Sequence, residues 1–97
     1  MTIWKFPLNV EGVTTIINAP VRKYLKVMMQ NGNPTLWAEV DDTQKQDEKH
    51  YIACVGTGWN VEIGKDIEYI DSVIDSYGFV WHYYGEVLNN GNNSVSN

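Results

Sequence analysis

Cysteine is nearly absent from this sequence, since Cys54 is the single one in 97 residues. One thiol cannot form an internal disulfide, and with only His50 and His82 beside it there are too few soft ligands for a structural zinc site. Cys54 lies in the apolar run YIACV, which predicts a buried, inert thiol and is consistent with a reducing cytosol.

Long apolar runs are missing as well. No stretch approaches the roughly 18 apolar residues of a membrane span, so we expect no membrane protein. The first ten residues, MTIWKFPLNV, have neither a positive n-region nor a long apolar h-region. They therefore do not indicate a secretory signal.

Positive charge is the third scarcity, because 7 Lys and Arg against 12 Asp and Glu leave a net charge of −5. Duplex nucleic acid needs many phosphate contacts, so an acidic chain is a poor candidate for binding it. The charge is unevenly spread: up to Lys26 four basic residues accompany one acid, Glu11, and after it three basic residues accompany eleven acids. Two or three local cations with backbone N–H groups can still hold a small phosphate.

The strongest positive signal is Asn31-Gly32 between two alternating runs. A type I′ hairpin turn needs positive φ at both central positions, which Asn tolerates and Gly adopts without steric cost. On the first arm, strict alternation places Tyr24 and Val27 on opposite faces. On the second arm it predicts one apolar face: Leu36, Ala38 and Val40.

Short extended segments account for most of the remaining chain. Residues 2–6, 13–18, 50–55 and 79–84 are rich in β-branched and aromatic residues, which is typical of strands. Residues 66–77 also fit helical spacing, so one short helix is an alternative, but we interpret them and the run that follows as a strand pair. The sequence predicts an all-β domain, residues 1–88, of about seven strands in an antiparallel sandwich or barrel. The polar tail, residues 89–97, is expected to be disordered.

Catalytic signals are weak. The serines lie in a patterned segment or in the tail, without a Gly-x-Ser-x-Gly elbow. His50 and His82 each lie in or beside a predicted strand, where a hydrogen-bonded, half-buried imidazole is the ordinary case. We therefore expect no enzyme, no metal and no cofactor.

The segment Gly56-Thr57-Gly58-Trp59-Asn60 is the best candidate for binding. Glycines on both sides of Thr57 allow backbone N–H groups to face an anion, and Trp59 can stack on a base. It is neither a Walker loop nor a dinucleotide fingerprint. The other interpretation is a tight turn with Trp59 folded back onto the core.

Five blocks occur in order along the chain: WKFPL (4–8), MQNG (29–32), LWA (36–38), VGTG (55–58) and FVWH (79–82). In these blocks the chain resembles a group of small uncharacterised bacteriophage and prophage proteins, over about the first 84 residues. The resemblance implies a phage accessory role in the host bacterial cytoplasm and supplies no catalytic residues. Small phage proteins of this size include counter-defence sponges of the anti-CBASS type, which sequester cyclic nucleotides.

The leading hypothesis is therefore a homo-oligomer that sequesters a cyclic di- or trinucleotide near a subunit boundary. Its predicted site consists of Trp4, Arg22, Lys26, Gly56, Thr57, Gly58 and Trp59. The alternative is a protein–protein inhibitor or adaptor, or an acidic mimic of nucleic acid that acts on a host protein. A sponge should place aromatic rings opposite basic residues in a concave pocket, whereas an adaptor should present a flat patch and a mimic an acidic stripe.

Overall fold

The computed structural model describes residues 1–45, 48–61 and 66–88. They form seven strands: β1 Thr2–Pro7, β2 Thr15–Asn18, β3 Val21–Gln30, β4 Asn33–Val40, β5 Lys49–Gly56, β6 Glu68–Ile74 and β7 Val80–Leu88. The predicted all-β class is confirmed, and the described part of the chain contains no helix, so the helical alternative for residues 66–77 is wrong. It likewise contains no helix long and apolar enough to cross a bilayer. The tail predicted to be disordered, residues 89–97, lies outside the described residues.

Every strand pairing is antiparallel, and the strands form two sheets. The three-stranded sheet has the order β1-β4-β3 and the four-stranded sheet the order β2-β5-β7-β6. The β3–β4 hairpin turns at Asn31 (φ 52°) and Gly32 (φ 81°), which are the left-handed conformations of the predicted type I′ turn. Pro7 ends the edge strand β1, where its missing N–H costs no ladder bond.

The chain passes from one sheet to the other at Ala19-Pro20, between β2 and β3. The Ala19 N–H donates to the Glu48 carbonyl (2.9 Å), and the Asp41 N–H donates to the Pro20 carbonyl (3.0 Å). These bonds connect the crossing to both sheets. Ala19 and Pro20 are fully buried, so this connection between the sheets is part of the core.

The core lies between the facing sides of the sheets. The predicted apolar face of β4 is confirmed, because Leu36, Ala38 and Val40 are all completely buried. Ile52 and Cys54 of the central strand β5 face them from the other sheet, and the thiol is buried as predicted.

Strand β3 departs from the predicted alternation. Its register against β4 shifts between Val21 and Lys23 and again between Tyr24 and Lys26. Each bulge adds a residue and reverses the facing of those that follow. Tyr24 and Val27 therefore both pack against the core, and their predicted placement on opposite faces is wrong.

Strands β3 and β6 lie side by side where the two sheets meet. One carboxylate oxygen of Asp71, on β6, accepts the backbone N–H of Val27 (3.0 Å) and faces Lys26 Nζ at 3.4 Å. A side chain thus satisfies a β3 donor that has no neighbouring ladder strand on that side.

Tyr24 also brings the sheets close together at Gly85 of β7. A Cβ added at Gly85 would lie 2.6 Å from two ring carbons of Tyr24. We predict that Gly85→Ala lowers the free energy of unfolding by about 1–3 kcal/mol, because the ring must move away from its packed position. Urea unfolding measures the loss.

The double variant Gly85→Ala/Tyr24→Leu is the control, because it removes the ring that the new methyl group meets. Its loss should be smaller than the sum of the two single losses, as expected of residues in contact. Strictly additive losses would contradict the contact.

Candidate functional site

The segments that follow β1, β3, β5 and β6 lie together at one end of the molecule, where they line shared cavities. Two adjoining cavities of about 310 and 480 Å³ lie there and share Glu11 and Trp81 in their linings. We call this site the aromatic groove; its defining residues are Glu11, Trp59, Tyr77, Phe79 and Trp81. Tyr77, Phe79 and Trp59 remain 84%, 63% and 53% exposed. Large aromatic side chains with this exposure are typical of contact surfaces.

Trp59 is held in place although half of it is exposed. The turn after β5 is closed by the Trp59 N–H donating to the Gly56 carbonyl (3.1 Å), with Gly58 at φ 89°. The indole lies against two glycines: an added Cβ would come within 2.6 Å of it at Gly12 and 2.9 Å at Gly56. Trp59 therefore folds back on the turns beneath it and still presents ring surface to the groove.

Trp81 supports this ring and is itself anchored by Asp75. The two indoles meet edge to face, with centroids 5.5 Å apart. The Trp81 Nε1–H donates to one Asp75 oxygen (2.9 Å), and the other oxygen accepts the backbone N–H groups of Tyr77 (2.9 Å) and Phe79 (3.0 Å). The bond from Trp81 is the main reason why the pKa of Asp75 lies below its ordinary value.

Glu11 supplies the free charge of the groove. It has φ 58° and precedes Gly12 at φ 84° in a turn closed by the Val13 N–H and the Val10 carbonyl (3.1 Å). A left-handed glutamate costs about 1–2 kcal/mol relative to an ordinary conformation. Within the described chain its carboxylate has no hydrogen bond or ion pair, and no described Lys or Arg lines either cavity. The groove is thus aromatic and negatively charged.

A row of polar side chains runs from the rim of the groove across the four-stranded sheet. Thr57 Oγ1 lies 2.8 Å from His82 Nε2, His82 Nδ1 lies 2.7 Å from Ser72 Oγ, and Ser72 Oγ lies 2.7 Å from the Tyr69 hydroxyl. A hydroxyl beside an imidazole is the arrangement of a nucleophile and its base. The group that orients His82 is a hydroxyl and not a carboxylate, so it offers little support to an imidazolium.

A second polar cluster is buried at the opposite end. Nε2 of His50, a residue only 1% exposed, lies 2.7 Å from Glu48, and its Nδ1 lies 2.6 Å from the Tyr24 hydroxyl. A carboxylate can only accept, so Nε2 carries the proton and, in the neutral ring, Nδ1 accepts from Tyr24. Glu48 also pairs with Arg22 at 3.1 Å. Burial, with a smaller contribution from nearby glutamates, raises the pKa of Tyr24 and keeps it a donor.

The seven sequence-predicted site residues separate into two sets. Gly56, Thr57, Gly58 and Trp59 lie together at the groove and its rim. The other three lie elsewhere in the chain: Trp4 packs beside Phe6 against the core (centroids 6.4 Å apart), Arg22 pairs with Glu48, and Lys26 pairs with Asp71. A single chain therefore does not bring the predicted cations to the predicted loop.

Sequence reasoning missed Glu11, Asp75, Tyr77, Phe79 and Trp81 as site residues. Glu11-Gly12 and Tyr77-Gly78 are recognisable as turns, but their position next to Trp59 depends on how the two sheets pack. Trp81 is one of four tryptophans that could line a pocket, but such residues more often fill a small core.

The family model described as Domain of unknown function (DUF7352) matches residues 1–93. The chain belongs to this family. The match includes the seven strands formed by the described residues and every residue of the groove. Comparison with curated proteins gives no match, and neither does comparison with solved structures. For this DUF7352 protein, the evidence on function is therefore the geometry of the site.

The buried cluster yields a stability prediction. Tyr24→Phe removes the donor to a buried His50 nitrogen, so the free energy of unfolding should fall by about 1–3 kcal/mol. Tyr69→Phe is the matched control, because its hydroxyl is also hydrogen-bonded but lies on an exposed side chain. Its loss should stay within about 0.5 kcal/mol. Equal losses in urea unfolding would contradict this prediction, because the hydrogen bond from Tyr24 to His50 would then contribute no more to stability than the exposed one of Tyr69.

Asp75 yields a prediction about pH. Because its pKa is lowered in the folded state, its contribution to stability is present above the ordinary carboxyl pKa and is lost as the pH falls through the folded value. The urea midpoint of the wild type should therefore exceed that of Asp75→Asn most clearly above about pH 5, and the gap should narrow below about pH 4. A gap that stays constant from neutral to acid pH would contradict the role of the ionised carboxylate.

Proposed function

We propose that this DUF7352 protein is a non-catalytic binding protein that takes a segment of another protein in its aromatic groove. The observation that carries the proposal is the groove itself, in which exposed Trp59, Tyr77 and Phe79 surround a concavity at the convergence of four turns. Such rings commonly dock extended peptide segments.

The contacts that support the groove residues favour this function. Trp59 rests on Gly12 and Gly56, and Asp75 holds both Trp81 and the turn that carries Tyr77. A surface that is already ordered loses little conformational entropy when a partner docks. Tryptophan and tyrosine are also the residues that contribute most to binding energy at interfaces.

Sequestration of a cyclic nucleotide is the second candidate. Trp59 and Thr57, which line the larger cavity together, favour it because an exposed indole can stack on a base. Against it stand the positions of Arg22 and Lys26, each paired with an acid away from the groove. A ligand with two or three phosphates would also meet the charge of Glu11. A phage accessory role, a homo-oligomer and a host cytoplasmic location stay predictions.

Imitation of nucleic acid receives less support. Several of the acids that would form the stripe are engaged within the chain: Glu48 with Arg22 and His50, Asp71 with Lys26 and Val27, and Asp75 with Trp81. Acids that stabilise the fold in this way are less available to a partner.

Selection of random peptides displayed on phage against the immobilised protein tests the proposal. Peptides selected on the wild type should lose affinity by about tenfold or more for Trp59→Ala, because truncating an aromatic anchor costs more than about 1.4 kcal/mol. Trp37→Ala is the matched control, since Trp37 is a half-buried tryptophan on β4, outside the groove. Its affinity should change less than about twofold.

A thermal-shift panel of linear and cyclic di- and trinucleotides tests the second candidate in parallel. At about one hundred times Kd, a ligand of the native state adds roughly 2.7 kcal/mol of stability. A selective nucleotide shift that Trp59→Ala abolishes, together with peptides indifferent to Trp59, would replace the proposal with nucleotide sequestration.

A further inference from the structure

The charge beside Trp59 bears on which side chain of a partner the groove would take. Glu11 adjoins Gly12, and the Trp59 ring lies against Gly12, so the carboxylate-bearing residue and the indole are neighbours. Both line the larger cavity, together with Trp81 and Phe79. An exposed carboxylate next to an exposed indole is the pair of features that a cation recognises.

The charge of Glu11 is not neutralised by the described chain. Three other acids are engaged within the chain: Glu48 with Arg22, Asp71 with Lys26, and Asp75 with the Trp81 indole. Glu11 has no such contact among residues 1–45, 48–61 and 66–88, and none of these that line the groove is basic. The overall charge of −5 adds to the attraction of a basic ligand.

We propose that the groove recognises an arginine side chain of the partner segment, with its guanidinium stacked on Trp59 and paired with Glu11. The inference rests on the proposed function and adds the chemistry of the ligand. A guanidinium is planar, so it can lie on an indole and direct N–H donors to a carboxylate at the same time. A lysine ammonium is more strongly hydrated and lacks the flat surface, so we expect it to bind more weakly to the Glu11 carboxylate and the Trp59 indole.

Nuclear magnetic resonance titration with a defined probe tests the inference. The probe is the blocked pentapeptide acetyl-Ala-Ala-Arg-Ala-Ala-amide, and its matched partner carries citrulline, which is nearly isosteric with arginine but neutral. The Trp59 indole N–H signal is the one that is missing from the spectrum of Trp59→Phe. The arginine peptide should shift this signal. The citrulline peptide should bind at least about fivefold more weakly, and raising the salt concentration should weaken only the arginine peptide.

Variants of the protein complete the experiment. Glu11→Gln keeps the size of the side chain and removes its charge, so the two peptides should then bind equally weakly. Glu39→Gln, at an acid on β4 outside the groove, should leave the preference for arginine unchanged. Thermal unfolding of both variants confirms that each is folded.

The outcomes separate this inference from the function on which it rests. Equal binding of the two peptides by the wild type, no shift of Trp59 at millimolar arginine peptide, or a preference that survives Glu11→Gln would each overturn arginine recognition. Display-selected peptides that depend on Trp59 but contain no enriched basic residue would leave the binding function standing and overturn only this inference. The absence of any peptide that depends on Trp59 would overturn both.

Discussion

The packing of Tyr24 between the two sheets is the constraint on which the rest of the structure depends. The bulges in β3 turn this side chain inwards, where its ring lies on the backbone of Gly85 and its hydroxyl meets the buried nitrogen of His50. Only a residue without a Cβ allows an aromatic ring so close to a strand. Beyond Tyr24, β3 continues to the β3–β4 turn, whose residues line the smaller of the two cavities.

Much of this fold follows from local sequence, and the exceptions have identifiable causes. The Asn31-Gly32 turn, the apolar face of β4 and the buried Cys54 depend on neighbouring residues, and each was predictable. The facing of Tyr24 was not, because a bulge inserts one residue without any clear local signature. The groove was predictable only in part: Trp59 stands out in the sequence, but its proximity to Glu11 arises from the packing of distant turns. Such long-range neighbours cannot be inferred from one sequence.

The glycines around Trp59 show how one residue type supports two different predictions. In the sequence, Gly56 and Gly58 predict a loop open to phosphate, because glycine lets a ligand approach the backbone. In the structure Gly58 supplies a positive φ to the turn, while Gly56 and Gly12 provide the space in which the indole lies. The close approach that glycine permits is thus used by a side chain of the protein. This arrangement accounts for a tryptophan that is both half exposed and fixed.

In the proposed recognition of a basic segment, the indole of Trp59 and the negative charge of the chain would contribute differently. The net charge of −5 acts over roughly a Debye length, so it affects how often a basic segment reaches the surface, and salt weakens it. Trp59 would act only in contact, so it would determine how long a bound segment stays. Glu11 would take part in both processes, because it adds to the field and also adjoins the indole. Its left-handed backbone is consistent with this role, since strain of this kind persists where the surrounding turn holds it and is concentrated at binding sites.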